Sequence, residues 1–514
     1  MHINKNRSFL LKIALFATGL SGIVAEYILS TLASYFLGDS VIQWTLTLSF
    51  MLFAMGIGSR ISKYMEKDLL FKFIQIELLL SLLVSFSTLI AYLSFGQLGF
   101  SAVVIYSLSI AIGTLIGLEI PLILRLNHVF EKLHFNVANV MEMDYFGSLL
   151  GGLFFAFIGL PYMGLTYTPI LLGCINFAVS LVLFYTFRKV FTDALRKKGV
   201  ILFSLTGLVL LSSIWVNEPI ILHQEQKRFK DLVIYSEQSA YQQITITRWK
   251  DDYWLFLNGH QQFSTIDEER YHEVLVHPAL SLHPNPREVL IMGGGDGIAA
   301  KEVLKHPKVQ QITLVDLDPA VTNLAKTHPI LTAVNGGALN NPKVKVLNQD
   351  AFVFMQQDKA MWDVIIIDLP DPKTVELSRL YTLEFYKMCF QQLRPGGKII
   401  TQAGSPYFAT DAFRCIWKTM DEAGFATLPL HNHVISLGEW GWVYGQKSTK
   451  GSVVIKTFQE AKIEVPTRWL NTSGLELITS FGKDMPPLDE EDPVNKIQDP
   501  ELYRLYLNGN WDLY

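Results

Sequence analysis

The chain has 514 residues, half of them hydrophobic and 18% charged, with a formal net charge of −4. That length supports two or three domains, and the spacing of Cys174, Cys389 and Cys415 excludes a disulfide framework or a cysteine metal motif. The average conceals a division: there are 14 Lys/Arg and 10 Asp/Glu up to Val216, then 29 and 37. The acidic remainder argues against a nucleic-acid partner and suits a cationic small molecule.

Seven apolar runs, near 13–37, 43–59, 73–94, 98–124, 137–160, 165–187 and 199–216, are each about long enough to cross a bilayer. Glycines at near-helical spacing, such as Gly113 and Gly117 or Gly147 and Gly151, predict close helix–helix contact. Lys5, Arg7 and Lys12 precede the first run. Arg60, Lys63 and Lys67 follow the second, Arg125 and Lys132 the fourth, and Arg188 and Lys189 the sixth. The alternate loops carry no lysine or arginine, which puts the N-terminus in the cytoplasm and, with seven spans, everything after Val216 outside. Glu26 is the acid deepest in a run. It reads either as part of a cation path or as a packed, hydrogen-bonded group.

From Ser239 the hydrophobic period falls to two. AYQQITITRW and YWLFLNG read as antiparallel strands with a turn at Lys250–Asp252, and DEERYHEVLVHPAL reads as a helix. Five short β-rich runs follow, VLIMG, ITLVDLD, VKVLNQD, WDVIIIDLP and GKIITQ, separated by helical segments. This alternation predicts a parallel sheet with its ligand beyond the strands' carboxyl ends. The first four strands end in, or run into a loop bearing, Asp296, Asp316, Asp350 and Asp368. Asp316 lies about twenty residues beyond the glycine loop, where such folds place a ribose-binding acid. A carboxylate at Asp296 would repel a pyrophosphate, so a nucleoside with a cationic group fits better than a dinucleotide. Asp368 and Asp371, on a turn stiffened by Pro370 and Pro372, read as turn-makers or as an amine-binding pair.

The ordered motifs YQQI, LNG, DEERYHE, HPNPREVLIMGGGDG, VDLD, QDAFVF and DLPDP, from about residue 240 to 447, resemble the polyamine aminopropyltransferase (spermidine synthase) family. The apolar half resembles the membrane domain fused to some bacterial members. The resemblance implies a multi-span α-helical membrane domain followed by an α/β Rossmann-like (class I methyltransferase-type) domain with a small N-terminal antiparallel β subdomain. The corresponding boundaries are 1–217 for the membrane domain, 218–265 for the β subdomain, 266–450 for the catalytic domain and 451–514 for a C-terminal extension. It implies aminopropyl transfer from decarboxylated S-adenosylmethionine, a co-substrate, to putrescine or a related amine, with no metal or cofactor. Donor contacts would come from Gln242, Gly293, Gly294, Gly295, Asp296, Asp316 and Asp350 with Ala351. Tyr271 and His272 would wall the pocket, Asp368 would be the base, and Asp371 would anchor the acceptor.

The sequence departs from the family where soluble members carry a Tyr-Pro-Ser-Gly-type loop over the acceptor. Here it reads VISLGEWGW, so Glu439 and Trp440 become the candidate ammonium-binding pair, and Trp442 reads as a core residue. Two other functions are compatible with the pattern: an amine N-methyltransferase using intact S-adenosylmethionine, and a polyamine-binding transporter or sensor. Asp296 speaks against the first, because an added donor carboxylate would be repelled. The expected location is the cell membrane, multi-pass. Donor supply favours a cytoplasmic catalytic domain, against the loop charges. The lipid bilayer and further copies of the chain are the other expected partners.

Overall fold

The computed structural model describes residues 2–38, 40–94, 100–447, 455–483 and 485–511. Two compact units divide the chain, 1–247 and 248–514.

The first unit is dominated by seven α-helices: α1 (His2–Leu37), α2 (Ser40–Ser62), α3 (Leu69–Ser94), α4 (Phe100–Asn127), α5 (Leu133–Phe154), α6 (Gly164–Thr186) and α7 (Asp193–Arg228). A π-helical stretch, Phe155–Met163, joins α5 to α6. By length and hydropathy the described residues contain six helical segments able to cross a membrane, because Leu133–Thr186 is one uninterrupted segment. Gly164, with φ 62° and ψ −168°, breaks its direction. Two apolar clusters mark the ends of the bundle. One gathers Leu15, Phe73, Leu122, Val140, Leu183 and Phe203. The other gathers Leu29, Val84, Ile112, Phe155, Leu172 and Ile221. The order of these pairs reverses from α3 to α4 to α5 to α6 to α7, so α5 and α6 run in opposite directions. The expected glycine contacts are present: a Cβ at Gly117 would lie 2.1 Å from the Met55 carbonyl oxygen, and one at Gly147 2.1 Å from that of Phe16. The helix α7 runs to Arg228, beyond the last apolar run at 216, as an increasingly polar continuation.

A small sheet has the order β1-β2-β3-β4, with β1 at Leu232–Gln238, β2 at Gln243–Trp249, β3 at Asp252–Leu257 and β4 at His260–Ser264. The β3–β4 pair is antiparallel. The helix α8 (Glu268–Ser281) follows as expected.

The second unit is built on a seven-stranded sheet. Its strands are β5 (Glu288–Gly293), β6 (Gln311–Asp316), β7 (Val344–Asn348), β8 (Trp362–Asp368), β9 (Leu393–Gln402), β10 (Ala426–Val434) and β11 (Gly438–Gln446). The order is β10-β11-β9-β8-β5-β6-β7. The strands β5 to β9 pair in parallel, and β11 enters antiparallel between β9 and β10. The central strands are apolar throughout, as strands covered on both faces must be: Val289, Leu290, Ile291 and Met292 are fully buried, as are Val364 to Ile367. The chain leaves β5 toward β6 on one side and returns through β8 on the other. That reversal opens a crevice at the carboxyl ends of β5 and β8, where the register sets Gly293 against Asp368.

Candidate active site

The glycine loop after β5 is shaped by close approach to β8. At Gly293, φ is 80° and a Cβ would come within 1.9 Å of the Asp368 carbonyl oxygen, so a side chain is excluded twice over. The Gly294 N–H donates to that same carbonyl at 3.1 Å. A Cβ at Gly295 would meet Asp316 Oδ2 at 2.6 Å, while the Gly295 N–H donates to that oxygen at 3.1 Å. The helix α9 (Ile298–Leu304) then begins after Gly297, at φ 83°.

Asp296 stands at the tip of this loop, just before Gly297. Its Oδ1 accepts the Ile298 N–H at 2.8 Å, the turn-making role, while its carboxylate faces His272. Burial raises its carboxyl above the usual range, with His272 pulling the other way. Asp316, at the end of β6, accepts N–H bonds from Gly295 and Asp318, the latter at 2.9 Å. Burial outweighs those bonds and lifts it to about 6.

The Asp368 carboxylate ends β8 and receives the Tyr271 hydroxyl from α8 at 2.7 Å. Burial lifts its carboxyl to about 6, with Asp296 adding and His272 and Tyr271 opposing. Burial and then Asp368 push the Tyr271 phenol well up, so it stays a donor. His272, 1% exposed, has Nδ1 2.9 Å from the Glu268 carbonyl oxygen. Burial would lower it, but Glu268, Asp296 and Asp368 outweigh burial and raise it to about 9. It is therefore an imidazolium at neutral pH. Burial works against ionised Glu268, yet His272 and Lys301 hold it down at about 2. The arrangement is a cluster of carboxylates, Glu268 buried and Asp296, Asp316 and Asp368 half-buried, with the His272 cation among them and Lys301 on Glu268.

Asp371 lies three residues on. Its Oδ2 accepts the Tyr506 hydroxyl at 2.6 Å, and Gln402 Nε2 lies 3.4 Å from Oδ1. Gln402 also donates to the Leu369 carbonyl at 2.8 Å and to the Tyr381 oxygen at 2.6 Å, fixing the turn. Gln402, Tyr381 and Tyr506 were not singled out by the sequence. Gln402 had a signal, since it ends a parallel strand at the ligand edge. Tyr506 had none, because it arrives from the C-terminal segment.

The other expected residues divide. Asp350 caps the helix Ala351–Gln357 through the Val353 N–H at 3.0 Å, and its second oxygen pairs with Arg379. Ala351 begins that helix and is buried. Gln242 belongs to the first unit, where its N–H donates to Ser239 Oγ at 2.9 Å. Trp442 is fully buried and packs edge-on against Tyr271, with ring centroids 5.3 Å apart. Trp440 lines the same face of β11. Glu439 projects from the other face, 2.6 Å from His431 Nδ1 and 3.4 Å from His433 Nδ1, and is not brought to the Tyr271–Asp368 pair. Among the described residues, Glu273, His277 and Glu302 bring ligand atoms within 4.8 Å of one another. Each is already engaged: Glu273 with three backbone N–H groups, and His277 with Glu302 and His306 at 3.0 Å each.

Residues 268–457 match the spermine/spermidine synthase domain. A polyamine aminopropyltransferase of Leptospira interrogans is 40% identical, covering 94% of this chain and 95% of its own. One of Oceanobacillus iheyensis is 40% identical over 96% of each chain. The polyamine aminopropyltransferase 2 of Aquifex aeolicus is 39% identical over 96% of this chain and 98% of its own. The similarity extends over the helical unit as well as the sheet.

Proposed function

The chain belongs to the polyamine aminopropyltransferase family, and we propose that its second unit transfers an aminopropyl group from decarboxylated S-adenosylmethionine to putrescine or a related amine. The observation that carries this reading is Asp368, half-buried, bonded to Tyr271 and set in register against the glycine loop. Gly293 to Gly295 hold the loop backbone against Asp368 and Asp316, where the donor's nucleoside would lie; Asp316 and Asp350 offer acceptors to it, and Asp296 offers charge to its aminopropyl ammonium. Spermidine and methylthioadenosine are the products with putrescine.

The chemistry explains the acids. An alkylammonium titrates near ~10.4 and cannot attack carbon while protonated. Passing its proton to a carboxyl at about 6 costs roughly 6 kcal/mol in water-like conditions. Burial has already raised the carboxyl to that value, and it lowers the remaining cost by favouring the neutral amine. The freed nitrogen lone pair then forms a bond to the methylene beside sulfur. The carbon–sulfur pair returns to sulfur, and the proton remains on Asp368. Tyr271, donating to one carboxylate oxygen, leaves the other for the amine. Alignment of amine and carbon supplies much of the acceleration, as effective molarities reach about 7–11 kcal/mol.

The test is product analysis with purified protein. Decarboxylated donor and putrescine should give spermidine and methylthioadenosine in equal amounts, and intact S-adenosylmethionine should give no methylated amine. Methyl transfer in place of aminopropyl transfer would replace this reading with the methyltransferase. We further place the second unit on the cytoplasmic side of a cell membrane, where the donor is made. Seven alternating helices with basic loops at one end argue for the opposite side, and a reporter fused after Tyr514 separates the two.

A further inference from the structure

Residues after 454 read from the sequence as an extension, yet they are built into the catalytic unit. Glu273 on α8 accepts N–H bonds from Arg468, Trp469 and Leu470 at 2.6–2.9 Å. Arg414 grips Asp492, with Nε 2.7 Å from Oδ1. Asn495, fully buried, bonds to the Ser378 carbonyl at 2.9 Å. The segment ends in a short helix, Leu502–Leu507, that delivers Tyr506 to Asp371. Trp511 backs that ring at a centroid distance of 4.7 Å, and its indole N–H donates to the Tyr506 carbonyl at 2.7 Å.

The same corner already holds an ammonium. Lys373 Nζ lies 3.6 Å from Asp371 Oδ2 and 5.8 Å from the centre of the Tyr506 ring. It also lies 3.0 Å from His260 Nδ1 on β4. A carboxylate beside an aromatic ring recognises an alkylammonium through charge and the ring's negative face. The lysine side chain is the same functional group that a diamine carries at its far end. It is 29% exposed, so it can leave toward solvent.

We propose that Tyr506 completes the acceptor anchor that the family pattern puts at Asp371, so that the two cradle the diamine's far ammonium, and that Lys373 fills this cradle until the diamine displaces it. The proposal rests on the aminopropyl-transfer reading for the identity of the ligand. Tyr506 is a positioning residue: its hydroxyl orients the Asp371 carboxylate and its ring walls one side. The span from this cradle to Asp368 then sets which diamine length puts its near nitrogen at the base. The VISLGEWGW strand supplies no tyrosine here; the C-terminal segment supplies one.

The experiment is calorimetric titration of diamines into full-length protein saturated with methylthioadenosine, which needs no turnover. Lys373→Met should tighten putrescine about ten-fold by removing the internal competitor. Tyr506→Phe should weaken it about ten-fold and flatten the preference among three-, four- and five-carbon diamines, with methylthioadenosine affinity unchanged. Unaltered putrescine affinity and length order in Tyr506→Phe, or weaker binding in Lys373→Met, would overturn the cradle. Should Tyr506→Phe lose methylthioadenosine binding through misfolding, the Lys373→Met arm decides. Diamine binding of the predicted pattern without spermidine formation would remove the catalytic reading and leave the cradle standing.

Discussion

The donor side and the acceptor side of this pocket are built on different principles. The donor side comes from one contiguous edge: the loop after β5 and the acids ending β6, β7 and β8, all within Gly293 to Asp368. Its geometry follows from parallel strands in register, so a change in one loop is felt by all of it. The acceptor side is assembled from afar. Asp371 meets Gln402 from β9 and Tyr506 from the chain's last helix, 135 residues away. Contacts of that kind can be exchanged without disturbing the sheet. On the proposed roles, donor binding rests on the sheet's own edge and acceptor choice on what is docked beside it.

The sharpest break should come from the donor side. Gly293→Ala places a methyl within 1.9 Å of a carbonyl oxygen at a φ of 80°. Methylthioadenosine affinity should fall by about a hundred-fold or more, since a forced strain of a few kcal/mol falls on the loop itself. Retained affinity would mean the loop is looser than its register with β8 implies. Acidity comes next. Asp368 and Asp316 are both raised to about 6. A base must be unprotonated, so kcat should be level near pH 7 and fall about ten-fold per unit below 6. Level rates down to pH 5 would exclude Asp368 as the titrating base. The smallest effect should come from the acceptor-side strand. Glu439 is held by His431 and His433 on the face away from Tyr271, so Glu439→Gln should change the acceptor's KM by only about two-fold. A ten-fold rise would restore it as the ammonium anchor expected from the sequence.

This difference also explains what could be read in advance. Strand–helix alternation, the glycine loop and acids at strand ends are local signals, and the sheet with its carboxyl-edge acids follows from them. Trp442 as core was legible because aromatic residues at alternate strand positions bury one face. Glu439 was harder. Its residue type fits an ammonium and alternation sets it on the face away from Trp440 and Trp442, but its meeting with His431 and His433 depends on the antiparallel register with β10, which no local pattern sets. Tyr506 was out of reach: its short helix has no motif, and docking depends on Glu273, Arg414 and Asn495 acting together. In the helical unit, periodicity yielded the apolar runs. The continuous segment Leu133–Thr186, in which a π-helical stretch replaces a loop, is not marked by any apolar run.

The central claim is that Asp368 removes the proton from the attacking amine, and Asp368→Asn tests it most directly. Asparagine keeps the shape, can still accept from Tyr271, and cannot take a proton at neutral pH. With decarboxylated donor and putrescine, turnover should fall roughly 10²–10⁴-fold while methylthioadenosine binds as in the unaltered protein. Turnover within a few-fold of the unaltered protein, with the donor site intact, would contradict the account.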